Sequence, residues 1–205
     1  MNNRLFIDEI LYAEGLRKPY WRGKIHGCAL LLMPIGIYYA NHHSYLIVCT
    51  LTNTLCFAVS AAYHTISWSI DTEIIMQKLD HICISLWCHT MMYPIMFVVL
   101  PKPIGLLFFY VNLCICFCNL CLIIISRPSL IVHSLVPGSL APFLYWCDLQ
   151  RFTWLALGGV VFFQSVGTLI FALKLPQSCF HELFHILSVG AAVCVYLTNY
   201  TILTC

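Results

Sequence analysis

The chain has 205 residues, of which 61% are hydrophobic and 9% charged. That charged fraction is about a third of the roughly 25% found in soluble domains, which excludes a soluble globular enzyme. Lys and Arg total 10 against 8 Asp and Glu, and the mean hydropathy is +0.88. The basic excess expected of a nucleic-acid partner is absent, and lipid is the expected solvent.

Met1 to Lys24 hold five basic and three acidic residues, with no apolar core followed by a small-residue cleavage site, which argues against a cleaved signal peptide. Leu5, Phe6, Ile10, Leu11 and Leu16 among these charges fit either a short helix on the cytoplasmic membrane surface or a solvated tail. Residues 1–24 are therefore read as an N-terminal segment and 25–205 as one membrane domain.

A spanning helix needs about 20 mostly apolar residues. Polar and turn-forming punctuation divides the chain into seven such stretches: His26 to Ala40, Tyr45 to Ser67, Leu79 to Leu100, Gly105 to Ile125, Leu130 to Trp146, Phe152 to Leu173 and Cys179 to Leu203. The dividers are Asn41-His42-His43, Asp71 to Lys78, Pro101-Lys102-Pro103, Ser126-Arg127-Pro128, Asp148 to Arg151 and Lys174-Leu175-Pro176. The fifth stretch is interrupted by Pro137-Gly138 and Pro142, so a kinked span and a re-entrant hairpin with the sixth both remain open.

With seven spans and a cytoplasmic N-terminus, Arg4, Arg17, Lys18, Arg22, Lys24, Lys78, Arg127 and Lys174 face the cytoplasm, and Lys102 and Arg151 the outside. Eight against two favours that orientation, with the C-terminus outside. The fold class is thus all-α, a polytopic seven-transmembrane helix bundle, with Gly158, Gly159 and Gly167 expected to ease helix crossings. The 13 cysteines lie mostly inside apolar runs and read as small buried hydrophobes rather than a disulfide framework. Cys114, Cys118 and Cys121 share one face of the fourth span with Cys116 opposite, a packing pattern rather than a thiolate site.

An ionisable side chain at membrane depth costs several kcal/mol unless partnered, so such residues are functional candidates. His64 lies near the end of the second span, Asp80 opens the third, and His181, Glu182 and His185 open the seventh. Under the proposed topology all of them reach the cytoplasmic side. His181 and His185 are i and i+4 on a helix, so both rings can address one ion. His64 completes a three-histidine set with water in the fourth position, the arrangement of catalytic zinc sites. Asp80 then accepts a hydrogen bond from that water or is itself a ligand. Ser60, one turn before His64, either donates a hydrogen bond behind the ligands or back-bonds to its own helix.

His181-Glu182-Leu183-Phe184-His185 also spells the H-E-x-x-H pattern of zinc proteases, but only 20 residues follow His185 and none is His, Asp or Glu, so a downstream third ligand is missing. His26 opens the first span, where it either lines the site or reaches for the interface. His81 and His89 in the third span are expected to hydrogen-bond, and His42-His43 to lie in the opposite loop.

From Lys18 onward the chain resembles the hemolysin III and progestin and adipoQ receptor superfamily, most of all its short hemolysin III branch. Lys18-Pro19-Tyr20-Trp21-Arg22-Gly23-Lys24-Ile25-His26 is similar to the family's basic entry to the first span, and Ser60-Ala61-Ala62-Tyr63-His64 to its Ser-x-x-x-His motif. Leu79-Asp80-His81 and His181-Glu182-Leu183-Phe184-His185 resemble its Leu-Asp-His and final His-x-x-x-His, and Gly158-Gly159, Gly167 and Leu173-Lys174-Leu175-Pro176 its sixth span and exit. Phe162 and Phe163 stand where family members often carry Tyr, and the fifth span matches poorly.

The resemblance implies seven helices with a cytoplasmic N-terminus and a zinc ion held by His64, His181 and His185, with Asp80 reaching it through water and Ser60 nearby. It implies kinship with membrane hydrolases such as alkaline ceramidases and with receptors for adiponectin and progestins. The reading that follows is a zinc-dependent hydrolase of a membrane lipid amide or ester, in the plasma membrane or an intracellular one. The alternatives are a receptor or signalling protein with structural zinc, a pore-forming cytolysin and an intramembrane zinc protease. The substrate and the oligomeric state stay open.

Overall fold

The computed structural model describes residues 21–40, 43–125, 147, 149–176 and 179–204. Among these the chain is helical and contains no strand. The fifth span expected over Leu130 to Trp146, with its proline interruptions, and the segment before Trp21 lie outside the described residues.

The first span starts one turn earlier than its apolar run, because Arg22 to Ile25 already turn as helix α1 (Arg22–Ala29). Pro34 has no N–H for the Leu30 carbonyl, so the helix tightens into a 3₁₀ turn at Leu30–Leu32 before resuming as α2 (Met33–Tyr39). Next come α3 (Ser44–Thr65), α4 (Ile70–Thr90), a π-helical turn at Ile95–Val99, α5 (Lys102–Ile124), α6 (Arg151–Leu173) and α7 (Phe180–Thr204). Five helices, Ser44–Thr65, Ile70–Val99, Lys102–Ile124, Arg151–Leu173 and Phe180–Thr204, are long and apolar enough to cross a membrane.

The stretch Asp71 to Lys78, expected as a connection, is instead the opening of α4. Ser69 caps it by accepting from the Thr72 N–H at 3.4 Å, and Asp71 and Glu73 occupy the first turn, where carboxylates suit the positive end of the helix dipole. Charge therefore marks a helix start here rather than a break. Asp80 consequently sits three turns inside α4, not at its beginning. At the other end Pro94 interrupts the ladder before the π-helical turn.

α3 packs against α1, α2, α4 and α7, while α7 pairs most extensively with α6. The core lies among α1, α3, α4 and α7, where Cys56, Phe57, Trp87, Met91 and Val195 form one apolar cluster. Two buried amides find backbone partners on neighbouring helices, as suits a bilayer interior. Asn199 of α7 donates to the Met91 carbonyl at 3.0 Å, and Asn112 of α5 to the His89 carbonyl at 3.1 Å.

α6 and α7 approach closely at Gly159, where a Cβ would lie 2.6 Å from the Cys194 sulfur. Gly158 does not share this role, since a Cβ there would meet nothing within 4 Å. The cysteines divide as well. Cys49, Cys56, Cys83, Cys88 and Cys116 are buried, but Cys114, Cys118 and Cys121 form an outward stripe on α5. Only Cys116 of that helix packs inward, its thiol 3.8 Å from the Ser85 carbonyl.

Candidate metal centre

His64 is the penultimate residue of α3 and His181 the second residue of α7, so both lie where their helices meet the same end of the bundle. His185 follows one helical turn later on α7 and points the same way, its ring stacked on His181 at 5.0 Å with 19° between the planes. The His64 ring stands edge-on to both, 5.6 Å from His181 and 5.1 Å from His185. His64 and His185 are buried and His181 is half-buried.

The ligand atoms of these three residues all lie within 4.8 Å of one another, a group that could hold a metal ion. Three imidazoles on one tetrahedral zinc, with Zn–N near 2.05 Å, have ring centroids about 5 Å apart and nitrogens about 3.4 Å apart. The ring centroids, 5.0 to 5.6 Å apart, stand close to that spacing.

Asp80 brings a carboxylate to the same point: Oδ2 is 3.9 Å from His64 Nε2, and both side chains are almost fully enclosed. Because Asp80 is level with His64, the charged turns of α4 that precede it reach past the end of α3. Ser60 is buried one turn before His64. Glu182 is half-buried between the two histidines of α7, and its Oε2 has no hydrogen-bond partner among the described residues.

A fourth imidazole completes the cluster. His26 of α1 is buried and stacks on Phe57 at 4.5 Å while its ring nitrogens contact His185 Nδ1 at 3.0 and 3.2 Å. Of the two roles open to it in the sequence, lining the site is the one realised. The close approach of α1 that permits this depends on Gly23, where a Cβ would strike the Thr65 hydroxyl and crowd the Ala61 carbonyl. His81 and His89 lie elsewhere on α4. Their buried Nδ1 atoms have no partner among the described residues, while the His89 side chain meets Asn112 of α5 and sits between Tyr93 at 5.2 Å and Phe109 at 5.6 Å.

Five long apolar helices around an enclosed cluster of imidazoles and a carboxylate define a multi-pass integral membrane protein with a candidate metal centre at one end. The haemolysin-III related family model matches residues 23–196, a stretch that contains every residue of the cluster, and the chain belongs to that family. A comparison with curated proteins found no match.

Proposed function

We propose that this protein is a zinc-dependent membrane hydrolase that cleaves an amide or ester bond of a lipid. The observation that carries the reading is the meeting of His64, His181 and His185 with the Asp80 carboxylate at one end of a helix bundle. Ligand set and carboxylate together are the parts that metal-assisted hydrolysis needs.

His64, His181 and His185 hold the ion. Zinc in such a site supplies a Lewis acid for the substrate carbonyl and lowers the pKa of its water to about 7. Asp80, held close to His64, is placed to orient a water molecule and accept its proton. Ser60, one turn from His64, supports the site as a neighbouring hydroxyl. A mostly apolar cavity of about 150 Å³ between α1–α2, α3, α4 and α7 suits an acyl chain. Its wall toward the histidines includes Phe57, the residue stacked on His26.

The same reading takes Arg22–Tyr39 and the stretch over residues 130–146 as two further spans beside the five long helices, giving seven with the N-terminus in the cytoplasm. Eight of the ten Lys and Arg then face inward and the metal centre lies near the cytoplasmic rim. Purified protein should release fatty acid from a member of a panel of ceramides and phospholipid analogues. Hydrolysis that persists unchanged in His185→Ala removes the mechanism.

A further inference from the structure

We infer that the apolar cavity between α1–α2, α3, α4 and α7 binds a lipid tail that carries a mid-chain hydroxyl, and that the Asn53 amide recognises that hydroxyl. The inference deepens the hydrolase reading by naming the class of tail, and it rests on that reading for where the head of the lipid lies.

Against apolar wall residues such as Phe57, Trp87, Ala192 and Val195, α3 sets two polar ones, Thr50 and Asn53. Thr50 donates its only hydrogen to the Leu46 carbonyl at 2.8 Å, so its hydroxyl is already engaged. Asn53 differs. It lies near the middle of α3 and is 7% exposed, and its Oδ1 has no hydrogen-bond partner among the described residues. A buried amide left in this state is costly, most of all at membrane depth. Small-molecule sites are built in this way, with a few polar groups in an apolar wall fixing the orientation of what enters.

The chemistry of Oδ1 selects the partner. It needs a hydrogen-bond donor, which carbonyl, ether and carboxylate oxygens lack, and an ammonium would bring an unpaired charge into an apolar cavity. A lipid amide has an N–H, but that is the bond assigned to the metal centre. A hydroxyl donates to Oδ1 without charge and can accept from Nδ2–H in return. The cavity volume of about 150 Å³ takes a body about the size of benzene, which is a segment of chain rather than a whole lipid. Ile35 and Val193 of the wall are also exposed on the outside of the bundle, so a tail enters from the bilayer between α2 and α7.

Spacing along α3 sets the position of the hydroxyl. Asn53, Phe57, Ser60 and His64 fall at i, i+4, i+7 and i+11 and are all buried, so they share one inward face. Asn53 thus lies about 16 Å along the helix from His64. An extended chain covers about 1.2 Å per bond, so a tail whose carbonyl is at the metal centre brings its carbons at about positions 12–14 level with Asn53.

The test is equilibrium binding of radiolabelled 12-hydroxystearic acid to the full-length protein in phosphatidylcholine nanodiscs, after chelation so that no metal contributes. Unlabelled stearic and 2-hydroxystearic acids are the competitors. The 12-hydroxy acid should bind about 5- to 20-fold tighter than either, and Asn53→Leu should bring all three to within about twofold of one another. Equal affinities in the parent, the result expected if water alone satisfies Asn53, overturn the inference, as does a preference that survives Asn53→Leu. Ala192→Leu, which fills the cavity from α7, should weaken binding of all three acids, and undiminished binding there overturns the inference by placing the tail elsewhere. If Asn53→Leu does not fold, the ratio of affinities in the parent decides. The two readings fail separately. A hydroxyl preference in a protein that hydrolyses no lipid removes the hydrolase and keeps the site, whereas His185-dependent hydrolysis with no such preference keeps the hydrolase and overturns the site.

Discussion

His64 Nε2 and Asp80 Oδ2 lie 3.9 Å apart at the point where α3 ends and α4 has completed three turns. The separation is too long for a direct hydrogen bond. It leaves the carboxylate beside the imidazoles as a group that can address water next to a bound ion. Asp80→Asn should retain close to one zinc per chain while hydrolysis falls by about 10²- to 10⁴-fold, the usual worth of a general base. Zinc analysis and turnover on one preparation check this. Loss of the metal would make Asp80 a ligand, and undiminished turnover would remove its catalytic role.

The ligand set makes a second prediction through stability. Zinc that binds only the folded bundle at about 100 times its dissociation constant adds about 2.7 kcal/mol. Chelation should therefore lower the thermal midpoint of the purified protein, and added zinc should restore it. His64→Ala and His185→Ala should show neither response. A midpoint indifferent to chelator in the parent protein contradicts a zinc ion linking α3 to α7.

Two glycines should behave oppositely. Gly23→Ala places a methyl group against Thr65 and the Ala61 carbonyl, so α1 must move off α3 at a cost of about 1–3 kcal/mol, and His26 moves with it. Gly158→Ala meets nothing, and the better helix propensity of alanine makes it neutral or stabilising by up to about 1 kcal/mol. Chemical or thermal unfolding in detergent measures both. Equal effects at the two positions would count against the close contact of α1 with α3.

The candidate histidine group was legible in the sequence, because a membrane interior makes imidazoles and carboxylates costly and therefore rare. That scarcity singled out His64, Asp80, His181 and His185, and the i, i+4 spacing on α7 supplied the direction of two rings. Composition could not decide the fate of His26, since a histidine at a helix entry is equally compatible with water, headgroups or a neighbouring ring. Its burial depends on how closely α1 meets α3, and the signal for that approach, Gly23 three residues earlier, gains meaning only once its neighbour is known.

Other features were misread for definable reasons. Asp71, Glu73 and Lys78 look like a loop to a hydropathy scale, whereas Ser69 and the first-turn carboxylates are helix-start chemistry. The cysteines of α5 share a face, but in lipid a face of Cys114, Cys118 and Cys121 is as acceptable outside as inside, so apolarity alone did not orient the helix. Gly158 and Gly159 are adjacent and so point in different directions, and only Gly159 faces α7.

X-ray absorption at the zinc edge on the purified, zinc-loaded protein tests the central claim most directly. The account predicts one zinc per chain with three imidazole nitrogens and one oxygen at about 2.0–2.1 Å, and collapse of the imidazole signal in His185→Ala. A sulfur shell at about 2.3 Å, or a spectrum unaltered by His185→Ala, would contradict it.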